Sequence, residues 1–326
     1  MKDKKVVTIG GGTGSSVLLA GLKNFTRNIT AIVTVADDGG SSGVLREDLG
    51  MLPPGDIRAC LVALSNSESA MERLMTYRFD DNSGGLSGHS FGNILLAALN
   101  GIYGDFESGL RAASKVLAIT GKVLPMTLED VTLYAELEDG SVIEGESNIT
   151  FLTRKNSGRI KKVFLEPPMS KPPFESLKEI EEADLIILGP GSLYTSIMPN
   201  LLIKDLSQAI VKSKAKKAYV CNVMTQPGET DGYKAIDHLK AINRHVGQDF
   251  IDYILINDQV LPEHVRLNYY YTDKSQPIYV DQDEEAEIRA LGTQLIRGDF
   301  MNVVDGLVRH EANNICLALD DLMKEW

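Results

Sequence analysis

The start of the chain constrains the fold more than any other feature. Residues 6–9 form a short, β-branched apolar run that passes directly into the turn at 10–14, where all residues but one are glycine. The residues from Ser15 onward have the composition of a helix, and a second apolar run at 29–35 follows. Continuous apolar strands that alternate with helices indicate a parallel sheet covered on both faces. We therefore predict a Rossmann-like, doubly wound α/β fold with a mostly parallel sheet and helices on both faces.

The rest of the chain continues this alternation of strands and helices, except in its middle. Further strands are predicted at 185–188, 218–223 and 253–256, with helices near 202–210, 233–241 and 313–324. In a helical segment at about 56–120, apolar residues recur at helical spacing, namely Ile57, Cys60, Leu61 and Leu64, and then Phe91, Leu95, Ala98 and Leu99. Asp139 and Gly140 predict a type I′ turn within a small antiparallel hairpin lobe at about 131–165. We expect a single domain over residues 1–326.

Composition and charge narrow the class of protein. The net charge of −12 argues against a nucleic-acid partner and against attachment to an anionic membrane surface. Cys60, Cys221 and Cys316 are far apart and form no CxxC pair, which disfavours a disulfide or zinc framework and suits a reducing cytosol. The apolar run at the N-terminus is too short for a signal peptide, and no later stretch is long enough to span a membrane. We expect a soluble, cytoplasmic protein without membrane insertion.

The first glycine turn is typical of a phosphate site. It comprises Gly10, Gly11, Gly12, Thr13 and Gly14. Glycine lets the backbone approach a ligand closely, and the following helix N-terminus offers unpaired N–H groups to a pyrophosphate. Ser15 stands where the dinucleotide fingerprint has its last glycine, so NAD is not expected as the physiological cofactor. The first lysine after the turn is Lys23, which excludes a P-loop ATPase. The alternative is a tight turn in which glycine is needed only to avoid steric clashes and no ligand is bound.

Two adjacent carboxylates, Asp37 and Asp38, follow the second predicted strand. Hard cations prefer oxygen ligands, so either carboxylate could hold a Mg²⁺ that bridges phosphates. The loop that comes next, Gly39, Gly40, Ser41 and Ser42, supplies backbone N–H groups and hydroxyls for phosphate binding. The alternative is an ordinary acidic turn at a strand end.

Two helix starts carry further polar candidates. His89, Ser90 and Asn93 gather at the beginning of an otherwise apolar helix and are predicted to line the site, although Ser90 could be only a cap and His89 a core residue. Arg58, close to a turn at 52–55, and Arg46 could meet a phosphate or a carboxylate. Asp56 could be a helix cap.

Loops in the second half of the chain are predicted to form a second side of the ligand site. Gly191 and Ser192 follow one strand, while Asn222, Thr225 and Gln226 follow the next. Ligands of open α/β sheets lie at the carboxyl ends of the strands, so we expect all these loops to converge on one edge of the sheet.

Six segments together resemble the gluconeogenesis-factor (YvcK-like) family, relatives of the CofD 2-phospho-L-lactate transferases. They are GGGTG at 10–14, VADDGGSSG at 35–43, LPPGDIR at 52–58, GHSFGN at 88–93, GPGSLYTSIMPNLL at 189–202 and MTQPGET at 224–230. The resemblance implies a Rossmann-like core and binding of a UDP-sugar, with UDP-N-acetylglucosamine as the expected ligand. It also implies a role in cell shape and in growth on gluconeogenic carbon sources, through regulation of a protein partner in cell-wall precursor supply.

For individual residues, the resemblance implies phosphate at 11–14 and a divalent cation at Asp37. It further suggests the sugar or uridine near Asn222, Thr225 and Gln226. The leading hypothesis is a regulator that senses a nucleotide sugar and could form a homo-oligomer. The alternative is a Mg²⁺-dependent enzyme similar to 2-phospho-L-lactate transferase, which uses a donor activated by a nucleotide diphosphate. An NAD-linked dehydrogenase is disfavoured by Ser15.

Overall fold

A computed structural model describes residues 1–156 and 158–324. Its strands are β1 (Val6–Gly10), β2 (Ile29–Val33), β3 (Lys122–Pro125), β4 (Thr132–Leu137), β5 (Val142–Glu144), β6 (Ile160–Glu166), β7 (Leu185–Leu188), β8 (Lys216–Val220), β9 (Tyr253–Asn257), β10 (Gln294–Gly298), β11 (Met301–Val304) and β12 (Leu307–His310). Its α-helices are α1 (Gly12–Leu22), α2 (Gly40–Leu49), α3 (Gly55–Leu64), α4 (Ser69–Thr76), α5 (Phe91–Tyr103), α6 (Phe106–Val116), α7 (Glu146–Asn156), α8 (Phe174–Glu181), α9 (Met198–Leu202), α10 (Lys204–Lys212), α11 (Ala235–Val246), α12 (Glu263–Asp273), α13 (Gln282–Ala290) and α14 (Ala312–Lys324).

The central sheet confirms the predicted fold class. Seven strands pair in the order β10-β9-β8-β7-β1-β2-β3, and every pairing in this sheet is parallel. Strand β1 lies between β2 and β7, so the chain builds the sheet outward in one direction first and in the other direction later. A crevice opens at such a switch point, beside the carboxyl ends of the two central strands. That crevice positions the site described below.

The central strands follow the sequence prediction closely, whereas the two edge strands do not. β1, β2 and β7 are buried along their whole length, which is why they read as continuous apolar runs. β3 begins with the exposed Lys122 and ends in Pro125, and β10 carries exposed Gln294 and Arg297. Strands at the edge of a sheet are half-solvated, so the apolar run that identifies a buried strand is missing there.

The helical segment is predicted correctly in one helix and only partly in the next. In α3 the four predicted core residues are buried, with Ile57 and Leu61 at 0% exposure. In α5 the buried residues are Gly92, Asn93 and Leu96, while the predicted apolar stripe is only partly covered. At the start of α5 the inward face carries the polar Asn93, which contributes to the site. The spacing of apolar residues in the sequence does not identify a buried polar residue of this kind.

A small antiparallel sheet interrupts the crossover from β3 to β7. Its strands pair in the order β5-β4-β6, so the predicted hairpin is present. The predicted type I′ turn is wrong, because that turn needs a positive φ at both central residues and only Gly140, at φ 86°, has one. The N–H and hydroxyl of Ser141 both donate to Oδ1 of Asp139, at 2.9 and 2.6 Å. Such side-chain bonds to the backbone two residues on are typical of Asp in turns, and here Asp139 does not have a positive φ.

No helix in the described part of the chain is both long enough and apolar enough to cross a membrane.

Candidate functional site

The two glycine turns meet where β1 and β7 end. The Gly189 N–H donates to the Ile9 carbonyl at 2.9 Å, which aligns the second turn beside the first. A Cβ atom on Gly14 would lie 2.5 Å from the carbonyl oxygen of Pro190, so only glycine permits this approach. The side-chain amide of Asn222 donates to the Gly191 carbonyl at 2.9 Å and ties the next loop to the same junction. Three of the predicted loops therefore converge at one point.

The N-terminus of α1 lies at this junction. Gly11 is its N-cap, without a capping side chain, and Gly12 has a φ of 69°. The carboxylate of Asp56 lies beside the N–H of Gly12, which favours its charged form, and a Cβ atom on Gly11 would overlap Oδ2 of that carboxylate. Asp56 therefore acts at the glycine turn as well as in the first turn of α3. Burial, together with the nearby charge of Asp37, raises the pKa of Asp56 to about 7.

The two predicted metal-binding carboxylates have different surroundings. Oδ1 of Asp37 accepts the Gly39 N–H at 2.9 Å, and its Oδ2 lies beside Gly55. Oδ1 of Asp38 accepts the Ser147 N–H at 2.9 Å, so this carboxylate is engaged by the first turn of α7. Within residues 1–156 and 158–324, no three His, Cys, Asp or Glu side chains are grouped as a metal site.

Two further acids that the sequence reasoning did not select belong to the same cluster. Burial raises the pKa of Glu146 to about 8, and the charges of Asp37 and Glu229 act in the same direction. Glu229 is buried, and its carboxylate accepts hydrogen bonds from the Thr150 and Thr195 hydroxyls, the Gln226 amide and the Tyr194 N–H, at 3.0, 3.2, 2.7 and 3.2 Å. Glu229 lies within the MTQPGET segment, which could have identified it, whereas Glu146 lies outside every motif.

The starts of α2 and α5 form a connected polar wall. Oγ of Ser41 lies 2.9 Å from Nδ1 of His89 and accepts the Asn93 amide at 3.1 Å. Nε of Arg58 donates to Oδ1 of Asn93 at 2.9 Å. Ser90 is the N-cap of α5, where its hydroxyl accepts the Asn93 N–H at 3.2 Å. The structure thus brings the predicted residues together and gives Ser90 the capping role.

A first cleft lies between this wall and the glycine turn. Its volume is about 250 Å³, and it is lined by Gly12, Thr13, Asp37, Gly39, Gly40, Ser41, Ser42, Gly55, Asp56, Arg58, Ala59, Arg78 and Asn93. Arg78 was not predicted, but a β-bridge between Arg78 and Ser90 holds its backbone beside α5. Arg46 does not reach this cleft, since it pairs with Asp130 and donates to the Val131 carbonyl.

A second cleft contains the remaining predicted residues. Its volume is about 270 Å³, and it is lined by Asn222, Val223, Met224, Thr225, Gln226, Pro227, Tyr269, Asp273, Ser275, Val308, Arg309 and His310. Asn222 connects this cleft to the glycine turns through Gly191. Gly10, Gly11, Gly14 and Gly191 line neither cleft, and neither does Ser192, whose carbonyl accepts the Ser196 and Ile197 N–H groups.

Comparison with known proteins places the chain in a family. Residues 6–301 match the family model described as 2-phospho-L-lactate transferase CofD. The gluconeogenesis factor of Halalkalibacterium halodurans is 50% identical over 319 residues, covering 98% of this chain and 96% of that protein. The gluconeogenesis factor of Bacillus subtilis is 48% identical over 321 residues, covering 98% of each. This chain belongs to the gluconeogenesis-factor (YvcK-like) branch of the CofD family.

A solved structure agrees with this assignment. The crystal structure of a protein from Bacillus halodurans superimposes on this chain with a TM-score of 0.91 at 48% identity, covering 99% of this chain and 100% of the Bacillus protein. The family predicted from the six sequence segments is therefore confirmed.

Proposed function

We propose that this gluconeogenesis-factor relative is a cytoplasmic regulatory protein that binds UDP-N-acetylglucosamine. In this proposal it supports cell shape and growth on gluconeogenic carbon sources by acting on a protein partner in cell-wall precursor supply. The observation that carries the proposal is the junction of the two glycine turns, which the first cleft reaches through Gly12 and Thr13 and the second cleft through Asn222. The names of the relatives support the gluconeogenic role, and the family model supports a ligand that contains phosphate.

The placement of the ligand follows from the two clefts. The first and second clefts have volumes of about 250 and 270 Å³, each a little below the usual size of a small-molecule site, so a nucleotide sugar would have to extend over both. We place the diphosphate over Gly12 and Thr13, and either the uridine or the sugar, at one end of that diphosphate, in the second cleft near Asn222 and Arg309. Arg309 lines that cleft and supplies the positive charge that a phosphate or a sugar hydroxyl can use.

A divalent cation would fit at Asp37 as part of this proposal. Mg²⁺ is commonly held by one or two carboxylates together with substrate phosphates, and it usually keeps several waters. Asp37 meets this requirement because it lines the first cleft, whereas Asp38 is turned toward α7. The ion would neutralise negative charge on the diphosphate beside Asp56 and Glu146.

Thermal unfolding tests the proposal. A ligand that binds only the native state raises its stability, by about 2.7 kcal/mol at a concentration one hundred times Kd. We expect about 1 mM UDP-N-acetylglucosamine with Mg²⁺ to raise Tm, and NAD to raise it far less. Arg309→Gln should diminish the shift, while Arg266→Gln, on the exposed side of α12, should retain it. No shift with or without Mg²⁺ would refute the proposed ligand.

A second candidate function is a Mg²⁺-dependent transferase similar to 2-phospho-L-lactate transferase. Asp56 and Glu146 favour it, because pKa values of about 7 and about 8 suit groups that exchange protons at neutral pH. Incubation with a nucleotide-activated phospholactate analogue and an acceptor should then release nucleotide. Release that is unchanged in Asp37→Asn would exclude the metal role of Asp37, and no release at all would favour the regulator.

A further inference from the structure

Ser41 and His89 form a pair to which the proposed function gives no chemical role. Oγ of Ser41 lies 2.9 Å from Nδ1 of His89, which is hydrogen-bond distance between a hydroxyl and a nitrogen base. Ser41, at 8% exposure, lines the first cleft together with Gly12 and Thr13 of the first glycine turn. A nucleophilic site needs a hydroxyl, a base within hydrogen-bond reach and access to a ligand. The position of the proton between Ser41 and His89 therefore decides what the pair can do.

That proton position follows from Arg58, because a guanidinium can only donate hydrogen bonds. Nε of Arg58 donates to Oδ1 of Asn93 at 2.9 Å, which turns the amide nitrogen of Asn93 toward Ser41. This nitrogen donates to Oγ of Ser41 at 3.1 Å and cannot accept the Ser41 proton in return. Among the described residues, Nδ1 of His89 is the acceptor that remains for that proton. We therefore assign Nδ1 as the unprotonated ring nitrogen, placed to remove the proton of Ser41.

Both partners of Ser41 are held in place by their surroundings. Asn93 is buried at 2% exposure, and its backbone N–H donates to the Ser90 cap of α5 at 3.2 Å. The backbone of His89 is bonded on both sides, since its N–H donates to the Leu86 carbonyl at 3.0 Å and its carbonyl accepts the Phe79 N–H at 2.9 Å. A base that is fixed against its nucleophile in this way needs little reorganisation to take the proton.

The start of α2 also favours negative charge on Ser41. Ser41 is the second residue of this helix, and the N-terminal end of a helix carries partial positive charge. Gly39 and Gly40 precede it and line the same cleft, so no side chain from them covers the hydroxyl. The hydroxyl of the next residue, Ser42, accepts the Gly55 N–H at 3.1 Å and bonds to no histidine of the described chain. Ser41 is therefore the better placed of the two serines for attack on a ligand.

We propose that Ser41 is a nucleophile with His89 as its general base, and that the substrate is a phosphoric anhydride such as the diphosphate of a bound nucleotide. Oγ of Ser41 attacks phosphorus and forms a new P–O bond, while the anhydride P–O bond breaks and its electron pair leaves with the departing phosphate group. The proton of Ser41 moves to Nδ1 of His89, and Ser41 keeps the remaining phosphoryl group as an ester. This inference rests on the proposed function only in placing a diphosphate at the glycine turn.

A neutral phosphoryl probe tests the nucleophile without a nucleotide or a sugar. Diisopropyl fluorophosphate transfers its phosphoryl group to activated serine hydroxyls with release of fluoride, and it has no charge for the acids of the cleft to repel. We expect intact mass and peptide mapping to find the modification at Ser41. His89→Asn keeps an acceptor near the position of Nδ1 but removes the base, and should lower the rate about one-hundredfold or more. The matched control is Ser147→Ala, at the exposed start of α7 near Gly39, which should react like the wild type.

A cysteine at position 41 gives a second measurement that a purely structural hydrogen bond would not change. In Ser41→Cys the thiol faces His89, and a histidine partner lowers the pKa of a thiol from its ordinary value of about 8.5. Thiolate absorbance during a pH titration reports this pKa, and the three native cysteines do not interfere because burial raises the pKa of each. We expect the pKa at position 41 to be lowered by about one unit or more, and the addition of His89→Asn to restore the ordinary value.

Three results would overturn the inference, provided that the melting temperature shows each variant to be folded. They are no modification of Ser41, an unchanged rate in His89→Asn, and an ordinary thiol pKa in Ser41→Cys. The proposed function is tested separately. If Ser41 reacts in a His89-dependent manner while UDP-N-acetylglucosamine does not raise Tm, the nucleotide-sugar proposal fails and the nucleophile stands. If UDP-N-acetylglucosamine raises Tm and Ser41 does not react, the proposed function stands and the nucleophile fails.

Discussion

The buried carboxyl of Asp56 makes the stability of the protein depend on pH. Burial and the charge of Asp37 raise its pKa from an ordinary 3.8 to about 7. The folded state therefore binds the proton more tightly than the unfolded state does. Stability from this group is fully present below about pH 3.8 and is lost as pH rises through about 7.

The magnitude follows from the size of the shift. Each pKa unit corresponds to about 1.36 kcal/mol, so a shift of roughly three units sets a ceiling of about 4 kcal/mol. Because Asp37 and Glu146 interact with the charge of Asp56, part of this shift belongs to the group of acids and not to Asp56 alone. The contribution of Asp56 to the free energy of unfolding is therefore on the order of 2–4 kcal/mol. Asp56→Asn retains an oxygen that can accept the Gly12 N–H but cannot ionise.

Urea unfolding between about pH 4.5 and about pH 8, without metal or ligand, measures the effect. We expect Asp56→Asn to be more stable than the wild type at the alkaline end, and the difference to shrink toward the acidic end. In Asp56→Asn the free energy of unfolding should still depend on pH through Glu146, because burial also raises the pKa of that group. Asp48→Asn, an exposed substitution in α2, should show the same dependence of the free energy of unfolding on pH as the wild type. Parallel curves for Asp56→Asn would refute the reasoning.

Three other perturbations have defined outcomes. Glu229→Gln replaces an acceptor in a buried carboxylate that receives four hydrogen bonds, including the Tyr194 N–H, and should lower the free energy of unfolding by about 1–3 kcal/mol in urea. Gly14→Ala places a methyl 2.5 Å from the Pro190 carbonyl and should cost about 1–3 kcal/mol, which thermal unfolding would detect. Chelation of divalent cations and Asp37→Asn should each weaken UDP-N-acetylglucosamine binding in calorimetry; unchanged affinity in both would contradict a metal at Asp37.

The sequence predicted those parts of the site that follow directly from the parallel sheet. A turn after a buried strand must lie at the carboxyl edge, so the turn at 10–14 and Gly191 could be assigned to the same edge from the sequence alone. The Asn222 loop belongs there for the same reason. Only the order of strands and glycines along the chain is needed for this placement.

Other parts of the site depend on packing between segments that are distant in sequence. Arg78 reaches the first cleft through a bridge to Ser90, and Glu146 enters the acidic cluster from the inserted lobe. Neither has a local pattern that distinguishes it from a surface residue. The division into two clefts was also not predictable, because adjacency along the edge of a sheet does not reveal which loops line the same cleft. Thr225 and Gln226 line the second cleft, whereas Ser41 and Asn93 line the first.

The proximity of the Gly12 N–H to Asp56 has a further consequence for ligand binding. The N–H that a phosphate would use at the start of α1 lies beside the Asp56 carboxylate, so an incoming diphosphate must approach that charge. Protonation of Asp56 removes the charge, although Asp37 and Glu146 remain as facing acids.

Without Mg²⁺, affinity for UDP-N-acetylglucosamine should therefore fall as pH rises above about 7, by up to about tenfold per unit. Mg²⁺ should flatten the dependence because it supplies the missing positive charge. Calorimetry at several pH values compares the wild type with Asp56→Asn, in which the dependence should be reduced. A pH-independent Kd in the wild type, or the same slope in both proteins, would show that the diphosphate does not bind beside Asp56.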